Sequence, residues 1–296
     1  MANLKDIRVR MASVESTQKI TSAMKMVSAA KLRRAQNTIL KLRPYAHELS
    51  SILADLMSVK TEGDPNPLEE VRAPEQVVLV AVTSNKGLCG GFNNNVLKRV
   101  ESLLATEYRR QMNEGKVRFV GIGKKAIEYL NRKKYPVLAT YDSILDACTF
   151  QAASEIAEGL MQKYLRKEID RVEIVYNKFK NAATQILANE QYLPVSFASS
   201  AAEGGAAQTH DFLFEPSREV LYRQLLPSMT KMKFYQSLLE SIAAEHGARM
   251  TAMHKATENA SELTRQLNLT YNKLRQAAIT NELIEMVSGA ESLKNA

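Results

Sequence analysis

The sequence predicts an α/β domain inserted between two long helices that pair as an antiparallel coiled coil. Three observations predict it. Both ends lack helix-interrupting residues, both ends repeat seam positions three and four apart, and the middle alternates short strand-like and helical runs. Only 12 Gly and 8 Pro punctuate 296 residues, which suits long uninterrupted helices.

Residues 1–43 hold neither Gly nor Pro. Leu4, Ile7, Met11 and Val14 open a seam that Leu32, Ala35, Ile39 and Leu42 close. This is a heptad spacing. The middle of the seam is polar, at Gln18, Thr21, Lys25 and Ser28, while Ile20, Met24 and Val27 fall on another face. Leu49, Leu53 and Leu56 extend the register past Pro44. One helix over 1–57 therefore touches different things along its length.

The C-terminal segment, 210–296, reads the same way. After Pro227 only Gly247 interrupts before Gly289. Met232, Tyr235, Leu239 and Ile242 start a register that passes His246 and Arg249 and runs through Met253, Leu263, Leu267 and Leu274 to Asn281 and Ile284. Ala248, Ala252, Ala256 and Ala260 form a row of small residues on which another helix could pack closely. Neither helix buries its stripe alone, so the two ends pair. About 55 residues span roughly 80 Å and about 75 span roughly 110 Å. The C-terminal helix is thus expected to project beyond its partner and to need a socket.

The middle, 76–197, predicts a small Rossmann-like sheet. VVLVAVT, VRFVGIG, PVLATY, RVEIVYNKF and TQILANEQYLPV are its strands. Helices are expected over 94–113, KKAIEYLNRKK and FQAASEIAEGLMQKYLRK. ASSAAEGGAAQT, 198–209, reads as a flexible linker.

Net charge is +8. Residues 1–43 alone carry ten basic and two acidic side chains, which calls for an acidic partner surface. The charged N-terminus lacks an apolar signal core, and no apolar run is long enough to cross a bilayer. These features read as a chain made and kept in the cytosol, and the missing transit peptide favours a bacterial source. Cys89 and Cys148 are too few for a disulfide framework or a zinc site and are expected to be buried free thiols. His47, His210, His246 and His254 show no metal-ligand spacing and are expected on the surface or in the seam.

Two glycine-rich stretches resemble nucleotide motifs. In SNKGLCGGFNNN, residues 84–95, Gly87, Gly90 and Gly91 do not fit a Walker loop, and no Lys-Ser or Lys-Thr follows them. Its glycines are expected to make a strand-to-helix turn, with Asn93–Asn95 capping the helix. GIGKKA, residues 121–126, matches the dinucleotide fingerprint, and Asp142 follows about 20 residues on. No catalytic triad or carboxylate pair can be assembled around either. No cofactor is expected. Two other readings remain: a nucleotide-dependent enzyme with a coiled-coil arm, which would bind ligand alone, and a basic coiled coil on nucleic acid, which would bind salt-sensitively.

IRVRMASVESTQKITSAMKMVSAAKLRRAQ resembles the N-terminal helix of the gamma subunit of rotary ATP synthases. ESIAAEHGARMTAMHKATENASELTRQLNLTYNKLRQAAITNELIEMVSGAESL is similar to its C-terminal helix, and SNKGLCGGFNNN stands where that family has its first strand-to-helix loop. The resemblance implies a rotor shaft without catalytic residues, one copy per complex. Its partners would be the alpha and beta subunits, the epsilon subunit and the membrane c-ring, with no nucleic acid. Proton flow would turn it, and it would lie peripherally on the cytoplasmic side of a bacterial plasma membrane. It also implies that Met24, Lys25, Lys31, Arg33 and Arg34 face the catalytic ring. Arg275, Gln276, Thr280 and Glu282 would meet that ring higher up. The end from Leu274 to Ala296 would fill an apolar bearing. Gly87, Gly90 and Gly91 would lie near the foot. Plastid members carry a cysteine-bearing insertion that is missing here.

Overall fold

The computed structural model describes residues 4–58, 66–196, 215 and 217–294. The expected linker, 198–209, lies outside the described residues. The chain forms α1 (Leu4–Ser58), β1 (Val77–Val82), α2 (Phe92–Ala105), α3 (Arg109–Asn113), β2 (Val117–Ile122), α4 (Lys124–Lys133), β3 (Val137–Tyr141), a short 3-10 turn (Ser143–Leu145), α5 (Phe150–Leu165), β4 (Arg171–Phe179), β5 (Gln185–Leu193) and α6 (Arg218–Lys294). It divides into two compact units, residues 1–27 with 250–296 and residues 28–249.

In the first unit two helical stretches run antiparallel. Arg8 donates to the Tyr271 hydroxyl at 2.7 Å and lies over its ring. Further along, the Thr257 hydroxyl donates to Thr21 at 2.8 Å. As one strand of the pair ascends, its contacts descend the other. Ile7, Thr21, Met253, Ala260 and Leu267 are buried on the shared stripe. The polar middle of the seam therefore stays in the seam: Thr21 is buried because Thr257 answers its hydroxyl, while Ile20 and Val27 are exposed. Past Ala278 every residue through Ala290 is exposed, including Ile279, Leu283, Ile284, Met286 and Val287. The partner stretch begins at Leu4, opposite the Leu274 region, so the later seam positions Asn281 and Ile284 have no helix to face.

The second unit holds the sheet, in order β3-β2-β1-β4-β5. The first four strands are parallel, and β5 returns antiparallel to β4. β1 is buried along its whole length, as a strand covered on both faces requires. One face packs Val77, Leu79, Phe119 and Val175 against Val100 and Leu103 of α2 and Leu130 of α4. α5 is capped by Thr149, whose hydroxyl accepts from Ala152. It meets α6 through Phe150 on Tyr235 and Lys231 on Glu158. The α6 stretch also packs Phe234 on Tyr192, whose hydroxyl donates to the Thr230 carbonyl. Leu49, Leu53 and Leu56 of α1 pack with Leu221, Tyr222 and Leu225 of α6, again antiparallel.

Two local expectations change. The helix expected over 94–113 starts at Phe92 and breaks at Thr106–Tyr108. Tyr108 turns inward there and its hydroxyl donates to the buried Glu173 carboxylate, which Arg171 also holds at 2.9 Å. The C-terminal helix starts at Arg218 and passes through Pro227 without ending.

Candidate functional site

The two glycine motifs converge at the carboxyl ends of β1 and β2, the sheet edge on which open α/β folds hold their ligands, beside the switch point between β1 and β4. Here the chain's own atoms occupy those positions. The first amides of α4 would receive a pyrophosphate in a dinucleotide site. Instead Gly123 N–H donates to the Tyr141 carbonyl, Lys124 to Asn85 Oδ1, Lys125 to the Ser84 carbonyl and Ala126 to Thr83 Oγ1, at 2.7–3.2 Å. Gly123 has φ +91°, and a Cβ there would stand 2.3 Å from the Thr83 carbonyl oxygen. Its glycine serves contact with β1, with no room for a phosphate. Asp142 gives its carbonyl to Asn85 Nδ2 at 2.7 Å.

The 84–95 loop is a grip on α6. Gly90 takes a left-handed φ of +60° in the turn. Asn93 does not cap α2; Gly91 stands at that position, with no side-chain cap. Asn93 Oδ1 instead accepts from Ser84 N–H at 2.9 Å, and its Nδ2 donates to Ser84 Oγ at 2.8 Å, closing the loop base. The Ser84 hydroxyl donates to the Lys86 carbonyl at 2.7 Å, and this carbonyl and that of Gly87 face α6. Arg249 donates from Nη2 to the Lys86 carbonyl at 2.8 Å and from Nε to the Gly87 carbonyl at 3.2 Å. Its Nη1 pairs with Glu245 at 2.7 Å. Burial pushes the Glu245 carboxyl up, and Arg249 beside it pulls it back. Ala244 and Ala248 pack with Cys89, Phe92 and Phe179, so the small-residue row starts on the loop. Gly247 meets the β4–β5 turn, where a Cβ would lie 3.2 Å from the Ala182 carbonyl.

Thus α6 closes the crevice between β1 and β4. Arg249 and Glu245 are the buried ion pair that sequence reasoning missed. The available signal was an Arg on a seam position with a Glu four residues before it. His246 is half-buried, and its imidazole is pushed down to about 4 by burial, with Arg249 and Lys31 adding to it. His254 is exposed beside Glu258 at 3.5 Å. Cys89 is buried, Cys148 only partly, and both are free; burial pushes the Cys148 thiol up to about 11. Among the described residues no cluster of ligands could hold a metal, and no helix is long and apolar enough to cross a membrane.

The residues expected to face partners lie apart from this crevice. Met24 and Lys25 are half-buried on α1; Lys31, Arg33 and Arg34 are exposed. Arg33 and Arg34 form no ion pair among the described residues. Arg275, Gln276, Thr280 and Glu282 are exposed, with the Thr280 hydroxyl bonded back to the Gln276 carbonyl at 2.9 Å. From the Thr21–Thr257 pairing, Met24 and Arg275 lie about 30 Å apart along the helix axis. They do not come together in one site. Gly87, Gly90 and Gly91 are exposed at the loop tip.

Fold and crevice define a helix-clasped α/β protein: a Rossmann-like sheet with its own terminal helix packed at the carboxyl ends of β1 and β4. The family model described as ATP synthase matches residues 3–293. The ATP synthase gamma chain of Cytophaga hutchinsonii is 46% identical over 295 residues, covering 100% of both chains. That of Flavobacterium psychrophilum is 49% identical over 296 residues, covering 99% of this chain and 100% of the relative. The OSCP/F1/c-ring structure of Euglena gracilis mitochondrial ATP synthase contains a chain of the same fold, with TM-score 0.69 and 23% identity over 98% of this chain and 94% of that one. The chain belongs to the ATP synthase gamma-chain family, the central rotor of F-type ATP synthase, a subunit without a catalytic site of its own.

Proposed function

We propose that this chain transmits proton-driven rotation to the catalytic ring through two stations on its helices. Met24, Lys25, Lys31, Arg33 and Arg34 form the lower station, facing acidic loops of the alpha and beta subunits. Arg275, Gln276, Thr280 and Glu282 form the upper one. The exposed end beyond Ala278 turns in an apolar bearing of the same ring. One copy serves each complex, with the epsilon subunit and c-ring at its foot, near the loop of Gly87, Gly90 and Gly91. The complex lies on the cytoplasmic face of a bacterial plasma membrane. The shaft comprises 1–57 and 210–296, and 76–197 is the foot domain.

One observation carries this reading: Ile279, Leu283, Ile284, Met286 and Val287 are exposed on a helix that has outrun its partner. An apolar helix end in water favours a socket. The unpaired Arg33 and Arg34 support the lower station. Exposed ion pairs contribute only about 0–1 kcal/mol each, which suits contacts that break and reform at every step. Affinity capture of the tagged chain from gently solubilised membranes should recover alpha, beta and epsilon subunits; recovery of the chain alone would overturn the assignment of partners. Replacing Lys25, Lys31, Arg33 and Arg34 together by Ala should lower single-molecule torque. Unchanged torque would remove the electrostatic station while leaving the bearing intact.

A further inference from the structure

We propose that Glu240 of α6 is a proton-binding site, and that its protonation latches α1 and α6 onto the β4–β5 hairpin. A cavity of about 220 Å³ lies between these elements in the second unit. Ala46, Leu49 and Ser50 of α1 form one wall, and Tyr176 and Lys178 of β4 with Glu190 of β5 form another. Met232, Lys233, Gln236 and Glu240 of α6 complete it.

Glu240 is only 7% exposed. Gln236 Nε2 donates to its Oε1 at 3.2 Å. Its Oε2 is out of water and receives no hydrogen bond among the described residues. The Ser237 hydroxyl beside it donates to the Phe234 carbonyl. The Tyr176 hydroxyl donates to Glu190 Oε1 at 3.0 Å. Lys178 from β4 and Arg43 from α1 contribute positive charge and Lys233 from α6 lines the cavity, yet among the described residues none forms an ion pair with Glu240. Glu190 faces it from β5 with a like charge. A buried carboxylate with one bare oxygen and a like-charged neighbour is costly. A proton removes that cost. Burial, with Glu190 assisting, raises the Glu240 carboxyl above its ordinary 4.5, against the opposing pull of Gln236, Lys178 and Arg43.

The folded chain therefore holds a proton that the unfolded chain has released. This contribution to stability is complete below 4.5 and fades as pH rises toward the folded value. In the ionised state the oxygen needs a donor that the packed wall lacks, so the helices loosen from the hairpin and admit water.

The test is infrared titration of the carboxylic-acid band in the full chain, with hydrogen exchange followed over 232–244. The band should persist to higher pH than that of the exposed carboxyls and be missing in Glu240→Gln. Exchange protection, corrected for intrinsic rates, should fall as the band disappears, and should not fall with pH in Glu240→Gln. Glu190→Gln removes the like charge and should shift the band's loss to lower pH, which keeps the test valid even if Glu240→Gln folds poorly. Three results would each overturn the proposal: a band that vanishes with the exposed carboxyls, a band unmoved by Glu190→Gln, or protection that ignores the band.

Discussion

α6 experiences two environments along one continuous helix. From Leu226 to Arg249 nearly every side is covered, with Phe234, Leu238, Ala243 and Ala244 fully buried. From Met250 onward only a stripe is buried, and from Ile279 through Ala290 no residue is. The same helical ladder therefore serves as a core element in one stretch and as a surface in the next. Where it is a core element, its charges must be answered in place, as Arg249 is by Glu245 and two loop carbonyls. Where it is a surface, charge and apolar area stand ready for partners.

Substitutions should separate the two stretches. Arg249→Ala strips a buried carboxylate of its partner and takes a donor from the Lys86 and Gly87 carbonyls, the first of which keeps the Ser84 hydroxyl; removing one partner of a buried pair costs about 3–5 kcal/mol. Urea unfolding of the full chain should show that loss, and a cost below about 1 kcal/mol would mean the grip is solvated. Leu238→Ala should cost about 2–5 kcal/mol by the same assay, as a large-to-small change in a filled core does. Gly247→Leu gains helix propensity but drives a side chain into the Ala182 backbone, for a net loss of about 1–3 kcal/mol.

A smaller effect is expected from pH. The His246 imidazole is held down to about 4 from 6.5, so the unfolded chain binds its proton first as pH falls. Its neutral form contributes stability above 6.5, which is lost between 6.5 and about 4. His246→Gln should flatten the thermal midpoint across that window; an unchanged slope would assign it to another group. Smallest of all, Met286→Ser should stay within about 0.5 kcal/mol of the parent chain, because Met286 is 68% exposed. A larger loss would mean that the end is packed in the free chain.

The seam was legible because its period survives changes in chemistry: Thr21 and Ser28 were placed on it as polar residues, and both are buried. The strands were legible as β-branched runs bounded by charge and glycine. The break at Tyr108 was not, because it depends on Glu173, 65 residues away. The Arg249 grip was hidden for the same reason. Its acceptors are backbone carbonyls 162 and 163 residues distant, and a carbonyl leaves no trace in a one-letter code. GIGKKA matches the fingerprint because its glycines are needed for packing, Gly123 against Thr83 and Gly121 beneath Ile127 and Leu130.

The glycine at 247 has a consequence of orientation. Successive residues on a helix point about 100° apart, so only one angular setting of α6 presents a missing side chain to the turn at Ala182. Rolling the helix by one residue would bring His246 or Ala248 against that backbone. The hairpin therefore acts as a key and Gly247 as its slot: the absent side chain fixes the angle at which the sheet holds α6.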